Sequence, residues 1–363
     1  MTRLHNFSAG PGVMPLSVIA EAQEALLEFN GCGIGIMEMS HRSAEFESII
    51  NSAISRLQAL LTIPKSHRVL FCTAGATQQF SAVPMNILRK GECGGYILTG
   101  IWSEKAEEEA RKFGPTKILA SSKQDNYRSI PFLDPTALTA QSLPLSYLHI
   151  TSNNTIFGTQ YQDIPSTDSI PLVADCSSDL LHRPIDVSKF GLIYASAQKN
   201  IGPAGVTVVI IHEELLERSD ANLPIMTNYR TYSESNSLYN TPPTFPIFGV
   251  ERVLHWIEEM GGLNVIFEKN KRKAQLVYDE IDRTEFYSGH AAKEYRSLMN
   301  ITFTLKESSL EKTFLEKAEK AGLSGLKGHR NVGGCRASMY NALPEEAVNA
   351  LVEFMQEFEK THG

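Results

Sequence analysis

The sequence predicts an α/β protein in which a mostly parallel sheet is flanked by helices and followed by a smaller α+β domain. Seven short runs of apolar and β-branched residues alternate with helical patterns along the first part of the chain. Such runs are typical of strands buried on both faces. Alternation of strand, helix and strand favours parallel connections. Long helical patterns dominate the C-terminal part, which indicates a second architecture there.

The predicted strands of the large sheet begin at residue 68. They are 68–73, 95–100, 116–120, 147–151, 171–175, 192–196 and 206–211. Helices are predicted at 78–88 and 103–113, between the first three strands. Ligands of open parallel sheets bind at the carboxyl ends of the strands, so the residues that follow each strand are the candidates for chemistry.

The C-terminal part has few strands and several long helices. Helices are predicted at 244–259, 263–282, 309–321 and 344–360, and strands at 298–305 and 336–340. We expect three parts in the chain: an N-terminal arm (1–15), a large domain (16–257) and a small C-terminal domain (258–363). The arm has too few apolar residues to form a domain, and we expect it to pack with the small domain.

Composition excludes several classes of protein. The chain has 363 residues, 42% of them hydrophobic and 21% charged, as in ordinary globular proteins. Its 34 basic and 41 acidic residues give a net charge of −7, which argues against nucleic-acid binding. We recognise no signal peptide, no membrane-spanning run and no metal site. Five cysteines without a CxxC pair predict free thiols and a cytoplasmic protein.

A lysine follows one of the predicted strands in the segment SAQKNIGPAG (196–205). Burial at a strand end lowers the pKa of an amine and makes it nucleophilic, so Lys199 is a candidate catalytic residue. Asp175 ends the preceding strand, and the two residues can face one site. A lysine that forms a Schiff base and an acidic partner for a pyridinium nitrogen are what pyridoxal phosphate requires. Taken singly, each residue also fits a structural role in a loop or turn.

Two further features follow strand ends. The turn 73–77 (TAGAT) joins a strand to a helix, and its backbone N–H groups can hold a phosphate, although many strand–helix turns look alike. Trp102 follows the next strand and can stack on a ring or simply pack. Neither a GxGxxG nor a GxxxxGK[ST] motif occurs, which disfavours nucleotide binding by the common loops.

Basic side chains provide candidates for anion binding. Arginine binds carboxylates and phosphates through two parallel hydrogen bonds, so a cluster of them suits a substrate with two anionic ends. The candidates are His41, Arg42, His329, Arg330 and Arg336. The His-Arg dipeptide also occurs at 67–68 and 182–183, so solvated surface pairs remain the alternative.

Over almost its whole length the chain resembles the phosphoserine aminotransferases, a family of fold-type-I pyridoxal-phosphate enzymes. The resemblance is carried by NFSAGPG (6–12), MEMSHR (37–42), ADCSSD (174–179), AQKNIGPAG (197–205), YNTPPTF (239–245) and GHRNVGGCRASMYN (328–341). The first and last segments are specific to this family, whereas the lysine segment fits several relatives. Ala74 stands where we expect another glycine, and Asn154 replaces an acidic residue usual before the threonine.

The resemblance implies a binding site for pyridoxal 5′-phosphate. It implies that Lys199 binds the cofactor covalently and that Asp175 pairs with its ring nitrogen. Further cofactor contacts are implied for Trp102 on the ring, for Thr155, for Ala76, Thr77 and Gln198 on the phosphate, and for Asn240 and Thr241 on the phosphate of the neighbouring subunit. A homodimer with shared active sites follows from that last contact.

The resemblance also implies a reaction. L-Glutamate and 3-phosphohydroxypyruvate would exchange an amino group reversibly, giving O-phospho-L-serine and 2-oxoglutarate in L-serine biosynthesis. Phosphohydroxythreonine, of vitamin B6 (pyridoxine) synthesis, is a further possible substrate. Arg336 would hold the α-carboxylate, and His41 and Arg42 the distal anion, helped by His329 and Arg330.

Two alternatives stay open at the level of sequence. One is another enzyme of the same fold, a serine–glyoxylate type aminotransferase or a cysteine desulfurase. A desulfurase needs a reactive cysteine on a mobile loop, whereas Cys335 lies within the arginine motif and is interpreted as packing. The other alternative is a binding protein without catalysis, which has no use for the Lys199–Asp175 pair.

Overall fold

A seven-stranded sheet forms the centre of the protein, whose computed structural model describes residues 3–167 and 169–363. In chain order the strands of the whole structure are β1 (His5–Asn6), β2 (His67–Thr73), β3 (Cys93–Leu98), β4 (Thr116–Ser121), β5 (Leu145–Thr151), β6 (Asn153–Asn154), β7 (Thr159–Gln160), β8 (Leu172–Asp175), β9 (Leu192–Ser196), β10 (Val206–His212), β11 (Tyr287–Gly289), β12 (Asn300–Leu305), β13 (Leu323–Ser324) and β14 (Cys335–Ser338).

The order of the strands in the large sheet is β2-β10-β9-β8-β5-β3-β4. Strand β10 is antiparallel to both of its neighbours, and the remaining strands run in one direction. The carboxyl ends of β2, β3, β5, β8 and β9 therefore meet at one edge of the sheet. The predicted fold class, an α/β protein with a mostly parallel sheet of seven strands, is confirmed.

Helices cover both faces of this sheet and continue into the C-terminal part. They are α1 (Leu16–Leu27), α2 (Ala44–Leu60), α3 (Gln79–Ile87), α4 (Ile101–Ala110), α5 (Glu213–Leu216), α6 (Tyr229–Glu234), α7 (Thr244–Glu259), α8 (Gly262–Arg283), α9 (Glu311–Lys320) and α10 (Glu345–His362). Sequence reasoning assigned no helix before residue 68 and so missed α1 and α2. It also placed the start of α4 two residues late, because Gly100 rather than Trp102 caps that helix.

Side chains of each central strand alternate between two apolar layers. In β2, Val69 and Phe71 pack with α1, α2 and α7, whereas Leu70 and Cys72 pack with α3, α4 and α6. This alternation follows from the two-residue period of a strand. Because both layers are apolar and buried, the backbone hydrogen bonds of the sheet are shielded from water.

The C-terminal part has its own apolar cluster beneath the antiparallel sheet β11-β12-β14. Phe314 lies at its centre, with ring centroids of Phe354 and Phe358 at 5.1 and 5.0 Å. Helix α8 connects the two parts, since Leu263 packs in the large cluster and Val277 in the small one. The expected boundary at residue 258 falls in the last turn of α7, and the division into 16–257 and 258–363 stays a prediction.

The N-terminal segment bridges the C-terminal part and the large sheet. Strand β1 pairs with β13, and Phe7 is fully buried in the C-terminal cluster. Gly12 then donates its N–H to the carbonyl oxygen of Gln198 at 2.7 Å. A Cβ atom at Gly12 would lie 2.6 Å from the ring of Tyr340, so only glycine permits this close approach. The segment thus ends against the loop that carries Lys199.

No helix in the described part of the chain is long and apolar enough to cross a lipid bilayer.

The aromatic cluster gives a stability prediction. Phe314→Ala removes a fully buried ring and leaves a cavity, so it lowers the free energy of unfolding by about 3–5 kcal/mol. Phe132→Ala makes the same chemical change at a ring that is 84% exposed, and its effect stays within about 0.5 kcal/mol. Denaturant unfolding of both variants measures the difference, and equal losses would contradict this account of the cluster.

Candidate active site

A cavity of about 300 Å³ opens where the parallel strands of the large sheet end. It brings together nine of the residues singled out from the sequence, which come from six separate segments of the chain. They are Ala76, Thr77, Trp102, Thr155, Asp175, Gln198, Lys199, His329 and Arg336. The cavity is therefore placed as the rule for open parallel sheets requires.

Asp175 is the last residue of β8 and is only 6% exposed. Its Oδ1 accepts the backbone N–H of Ser177 at 2.9 Å. Its other oxygen has no hydrogen-bond partner among the described residues and is available to a ligand. Burial raises the pKa of this carboxyl group, and the nearby Lys199 amine opposes that rise.

Lys199 lies three residues beyond β9, the strand adjacent to β8. Burial lowers the pKa of its amine, the carboxylate of Asp175 raises it, and Arg336 lowers it again. The net direction is downward, which increases the fraction of nucleophilic neutral amine at neutral pH. Its Nζ lies 6.0 Å from the ring centroid of Trp102.

Trp102 occupies the first turn of α4 and forms one wall of the cavity. Its indole Nε1 donates to Oγ1 of Thr155 at 3.1 Å. Arg336 of β14 donates from Nη1 to the backbone oxygen of Thr155, also at 3.1 Å. Trp102 and Arg336 thus hold Thr155 from both sides. Asn154, in place of the expected acidic residue, donates from Nδ2 to Oγ1 of Thr159 at 3.1 Å, so no carboxylate takes part in this arrangement.

The turn after β2 leads through a short 3-10 segment into α3. Ala74 adopts φ 70°, a left-handed conformation that favours glycine, so the expected glycine conformation is kept despite the methyl group. The backbone N–H groups of Ala76 and Thr77 find no acceptor within the described residues. They face the cavity at the start of a helix, where N–H groups bind anions.

The opposite side of the cavity is basic. Arg336 is half-buried, and its Nε is a buried donor without a partner in the described part of the chain. Burial lowers the pKa of His329, and the positive charges of Arg336, Arg330 and Lys105 lower it further. A bound anion would accept a hydrogen bond from the unpaired Nε and would reduce the repulsion among these positive charges. This side of the cavity therefore suits a carboxylate or a phosphate.

Five predicted site residues do not line this cavity. Arg42, Arg330, Asn240 and Thr241 are exposed, and His41 is partly buried with its Nε2 unpartnered among the described residues. Asn240 and Thr241 were expected to act on a neighbouring subunit, which a single chain does not contain. The roles of these five residues stay predictions.

Sequence reasoning assigned no role to several residues that shape the cavity. Ser177 binds Asp175 through its N–H and also accepts the N–H of Ser196 at 3.1 Å, so it connects the ends of β8 and β9. A Cβ atom added at Gly10 would lie 3.7 Å from Cγ of Lys199, so the N-terminal segment packs against this side chain. A serine after a strand is too common to be a signal, and only the fold brings the N-terminal segment to Lys199.

The donor set fits the pyridoxal phosphate that the sequence resemblance implies. The cavity offers an amine of lowered pKa, a buried carboxylate with one free oxygen, an indole face and free N–H groups for a phosphate. Gly75 leaves room beside Ser196, since an added Cβ would lie 3.5 Å from its Oγ. The described residues contain no group of three or more His, Cys, Asp and Glu side chains arranged as metal ligands.

Comparisons with known proteins point to the same chemistry. The family model for class-V aminotransferases matches residues 4–351. A phosphoserine aminotransferase of Geobacillus kaustophilus is 54% identical over 99% of both chains. Among solved structures, phosphoserine aminotransferase from Bacillus circulans subsp. alkalophilus has a TM-score of 0.96 and 49% identity over 99% of both chains. Pyridoxal-phosphate-bound phosphoserine aminotransferase from Trichomonas vaginalis has a TM-score of 0.91 and 36% identity, covering 98% of this chain and all of that one (100%).

The interaction between Asp175 and Lys199 predicts a shift in amine reactivity. Asp175→Asn removes the negative charge that raises the pKa of Lys199, so the amine titrates at a lower pH than in the wild type. The pH dependence of Lys199 modification by an amine-directed reagent, followed by peptide mass spectrometry, measures the shift. Asp186→Asn, which changes a carboxylate capping a surface turn, is the control. An unchanged midpoint in Asp175→Asn would show that the two groups do not interact.

Proposed function

The chain belongs to the class-V aminotransferase family, and we propose that it acts as a phosphoserine aminotransferase. It transfers the amino group of L-glutamate to 3-phosphohydroxypyruvate, which yields O-phospho-L-serine and 2-oxoglutarate, a step of L-serine biosynthesis. The observation that supports this most directly is the placement of Lys199, Asp175 and Arg336 around one cavity in a chain 54% identical to such an enzyme.

The cofactor is pyridoxal 5′-phosphate. When bound, it supplies an electron sink for the electrons released at the substrate α-carbon. We propose that Lys199 binds it covalently, that the free oxygen of Asp175 accepts a hydrogen bond from its ring nitrogen, and that Trp102 covers the ring. The N–H groups of Ala76 and Thr77, with Gln198, hold the phosphate, and Thr155 completes the site.

Lys199 has a second role once the substrate amine has displaced it. Its lowered pKa leaves the amine free to take the proton from the substrate α-carbon and to deliver it to the carbon on the other side of the transferred nitrogen, as general base and then general acid. The buried carboxylate of Asp175 keeps the ring nitrogen protonated, because a cation beside it offsets part of the cost of burying this charge, in addition to the contributions of Lys199 and Ser177.

Arg336 binds the substrate α-carboxylate with the donors that the protein leaves unused. Its Nε has no partner in the described chain, and Nη1 is oriented by the carbonyl group of Thr155. Glutamate and phosphoserine share an α-carboxylate and a second anion, so one basic pocket serves both. A lost charge-assisted contact in the transition state costs about 2–4 kcal/mol, or roughly 10²–10³ in rate.

We further propose a homodimer with shared sites. Arg42, Asn240 and Thr241 are exposed here, and the same chain segments carry the exposed apolar side chains Met37 (68%) and Tyr239 (54%). Exposed apolar groups next to polar anchors are typical of interfaces. In the dimer, His41 and Arg42 would bind the distal phosphate of the substrate in the partner's cavity, where His329 and Arg330 also contribute.

Two finer proposals concern the cell. All five cysteines are free thiols, which supports a reducing, cytoplasmic location. Phosphohydroxythreonine carries the same α-carboxylate and phosphate as phosphoserine, so we propose it as a second substrate, of pyridoxine biosynthesis.

A desulfurase is disfavoured, because Cys335 is fully buried in β14 and burial raises the pKa of its thiol.

A panel of amino acids tests the proposed function. The cofactor-loaded protein is mixed separately with O-phosphoserine, glutamate, serine and alanine, and the visible absorption of the bound cofactor is followed. Phosphoserine and glutamate are expected to change it rapidly, since each has two anions for the basic pocket, whereas serine and alanine leave it nearly unchanged. A fast change with serine or alanine would keep the chemistry and overturn the substrate.

Arg336→Gln tests the carboxylate site in the same assay. The reaction rates with phosphoserine and with glutamate are expected to fall by roughly 10²–10³, because both lose the same charge-assisted contact. Arg111→Gln, which removes an exposed arginine paired with Glu107 on α4, is the matched control and keeps both rates. A loss confined to one substrate would contradict a shared carboxylate site.

Complementation tests the shared site. Lys199→Ala and Arg42→Ala are each expected to be inactive with phosphoserine as homodimers. After the two are unfolded and refolded together, half of the dimers are mixed, and one of their two sites has both residues. Activity is then expected to recover to roughly a quarter of the wild-type value. No recovery in demonstrably mixed dimers would place Arg42 and Lys199 in the same subunit or outside the site.

A further inference from the structure

A second buried carboxyl group lies four residues after Asp175. Asp179 is 7% exposed, and it forms no ion pair with any described residue. Of the cations near it, Arg183 donates from Nη2 to the carbonyl oxygens of Tyr161 and Gln162 instead. A buried carboxylate without a cation is costly, and such groups gain a proton instead.

The hydroxyl group of Ser152 lies between this carboxyl group and Asp175. Ser152 Oγ is within hydrogen-bond distance of Oδ1 of Asp179 and is 3.0 Å from the backbone oxygen of Asp175. A serine hydroxyl has one proton, so it can donate to only one of these oxygens. Both hydrogen bonds exist together if Asp179 carries a proton and donates it to Ser152, which then donates to Asp175.

The other oxygen of Asp179 faces an amide whose orientation is determined. The Oε1 of Gln160 accepts the N–H of Leu298 at 3.0 Å, so its Nε2 is the group that faces Asp179 and His182, at 3.0 Å each. The two protons of Nε2 go to Oδ2 of Asp179 and to Nε2 of His182. His182 must therefore accept at Nε2.

His182 cannot neutralise Asp179. Its Nδ1 donates to the backbone oxygen of Asp179, and its Nε2 accepts from Gln160, so the ring is neutral. Burial lowers the pKa of His182 to about 3, in agreement with a neutral ring. Burial also raises the pKa of Asp179, which its hydrogen bonds and the charges of Arg183 and Lys199 only partly oppose.

We propose that Asp179 is a neutral carboxylic acid and a positioning residue for Asp175, to which it is connected through Ser152. The positioning role rests on the function proposed above for Asp175, whereas the protonation state does not. The negative charge at this end of the sheet is then confined to Asp175, opposite Lys199. A series of hydrogen bonds from Leu298 through Gln160, Asp179 and Ser152 also connects the backbone of Asp175 to the C-terminal part of the protein.

Infrared difference spectroscopy of the cofactor-loaded protein at neutral pH tests the protonation state directly. Wild type minus Asp179→Asn is expected to show the C=O stretching band of a protonated carboxyl group, with its small downshift in heavy water. Asp186→Asn is the control, because this exposed group loses carboxylate bands instead. Loss of carboxylate bands in Asp179→Asn would overturn the proposal.

The pH dependence of stability gives an independent measure. Because the folded-state pKa of Asp179 is raised, the folded protein holds a proton that the unfolded chain releases, and wild-type stability falls as pH rises. Between the unfolded pKa of about 3.9 and the folded pKa, the folding constant of wild type falls by about tenfold per pH unit relative to Asp179→Asn. A difference that stays constant over this range would contradict a neutral Asp179.

The positioning role is tested by rescue. Asp179→Ala breaks the connection to Ser152, and its kcat/KM for phosphoserine is expected to fall by about tenfold or more, as for other residues that orient a ligating group. Asp179→Asn keeps the shape and a donor, and it is expected to restore most of the loss and the wild-type pH profile. Equal losses in both well-folded variants would refute positioning by a neutral group. The infrared and stability results need no substrate, so failure of the proposed function would not affect them.

Discussion

The electrostatic attraction between a buried carboxylate and a nearby buried amine, Asp175 and Lys199, is the interaction on which the rest of the site depends. Burial opposes the charged form of each group and raises one pKa while it lowers the other. Each group offsets part of that cost for its neighbour. Both pKa values are therefore shifted toward neutrality, which suits the roles of nucleophile, base and acid that we propose for this amine.

Such a pair persists only if the backbone around it is rigid. Asp175 ends β8 and Lys199 follows β9, and these strands are adjacent and parallel in a sheet with apolar layers on both faces. Ser177 joins the two strand ends through hydrogen bonds to Asp175 and Ser196. The N-terminal segment then closes over the lysine loop at Gly12. These contacts hold the two groups in place before any ligand binds.

The basic side of the site comes from the other part of the molecule. Arg336 lies on β14 of the C-terminal sheet, and its hydrogen bond to Thr155 brings it to the cavity of the large sheet. Thr155 in turn accepts from Trp102. In the proposed mode of binding, one sheet supplies the group that binds the substrate anion, and the other holds the groups proposed to react. Movement between the two parts of the molecule would change the distance between the anion-binding group and the groups proposed to react.

The sequence by itself determined the seven central strands, the long C-terminal helices and the positions of Lys199 and Asp175. Short-range patterns are enough for these features, because hydrophobic periodicity and strand ends are local properties. Helices α1 and α2 were missed, and the helix start at Ile101 was misplaced by two residues. Only the tertiary structure decided that Arg336 and His329 reach the cavity and that Arg42 and Asn240 do not. Only the tertiary structure also revealed Ser152 between Asp175 and Asp179. Such contacts join residues far apart in the chain, so a local sequence pattern cannot predict them.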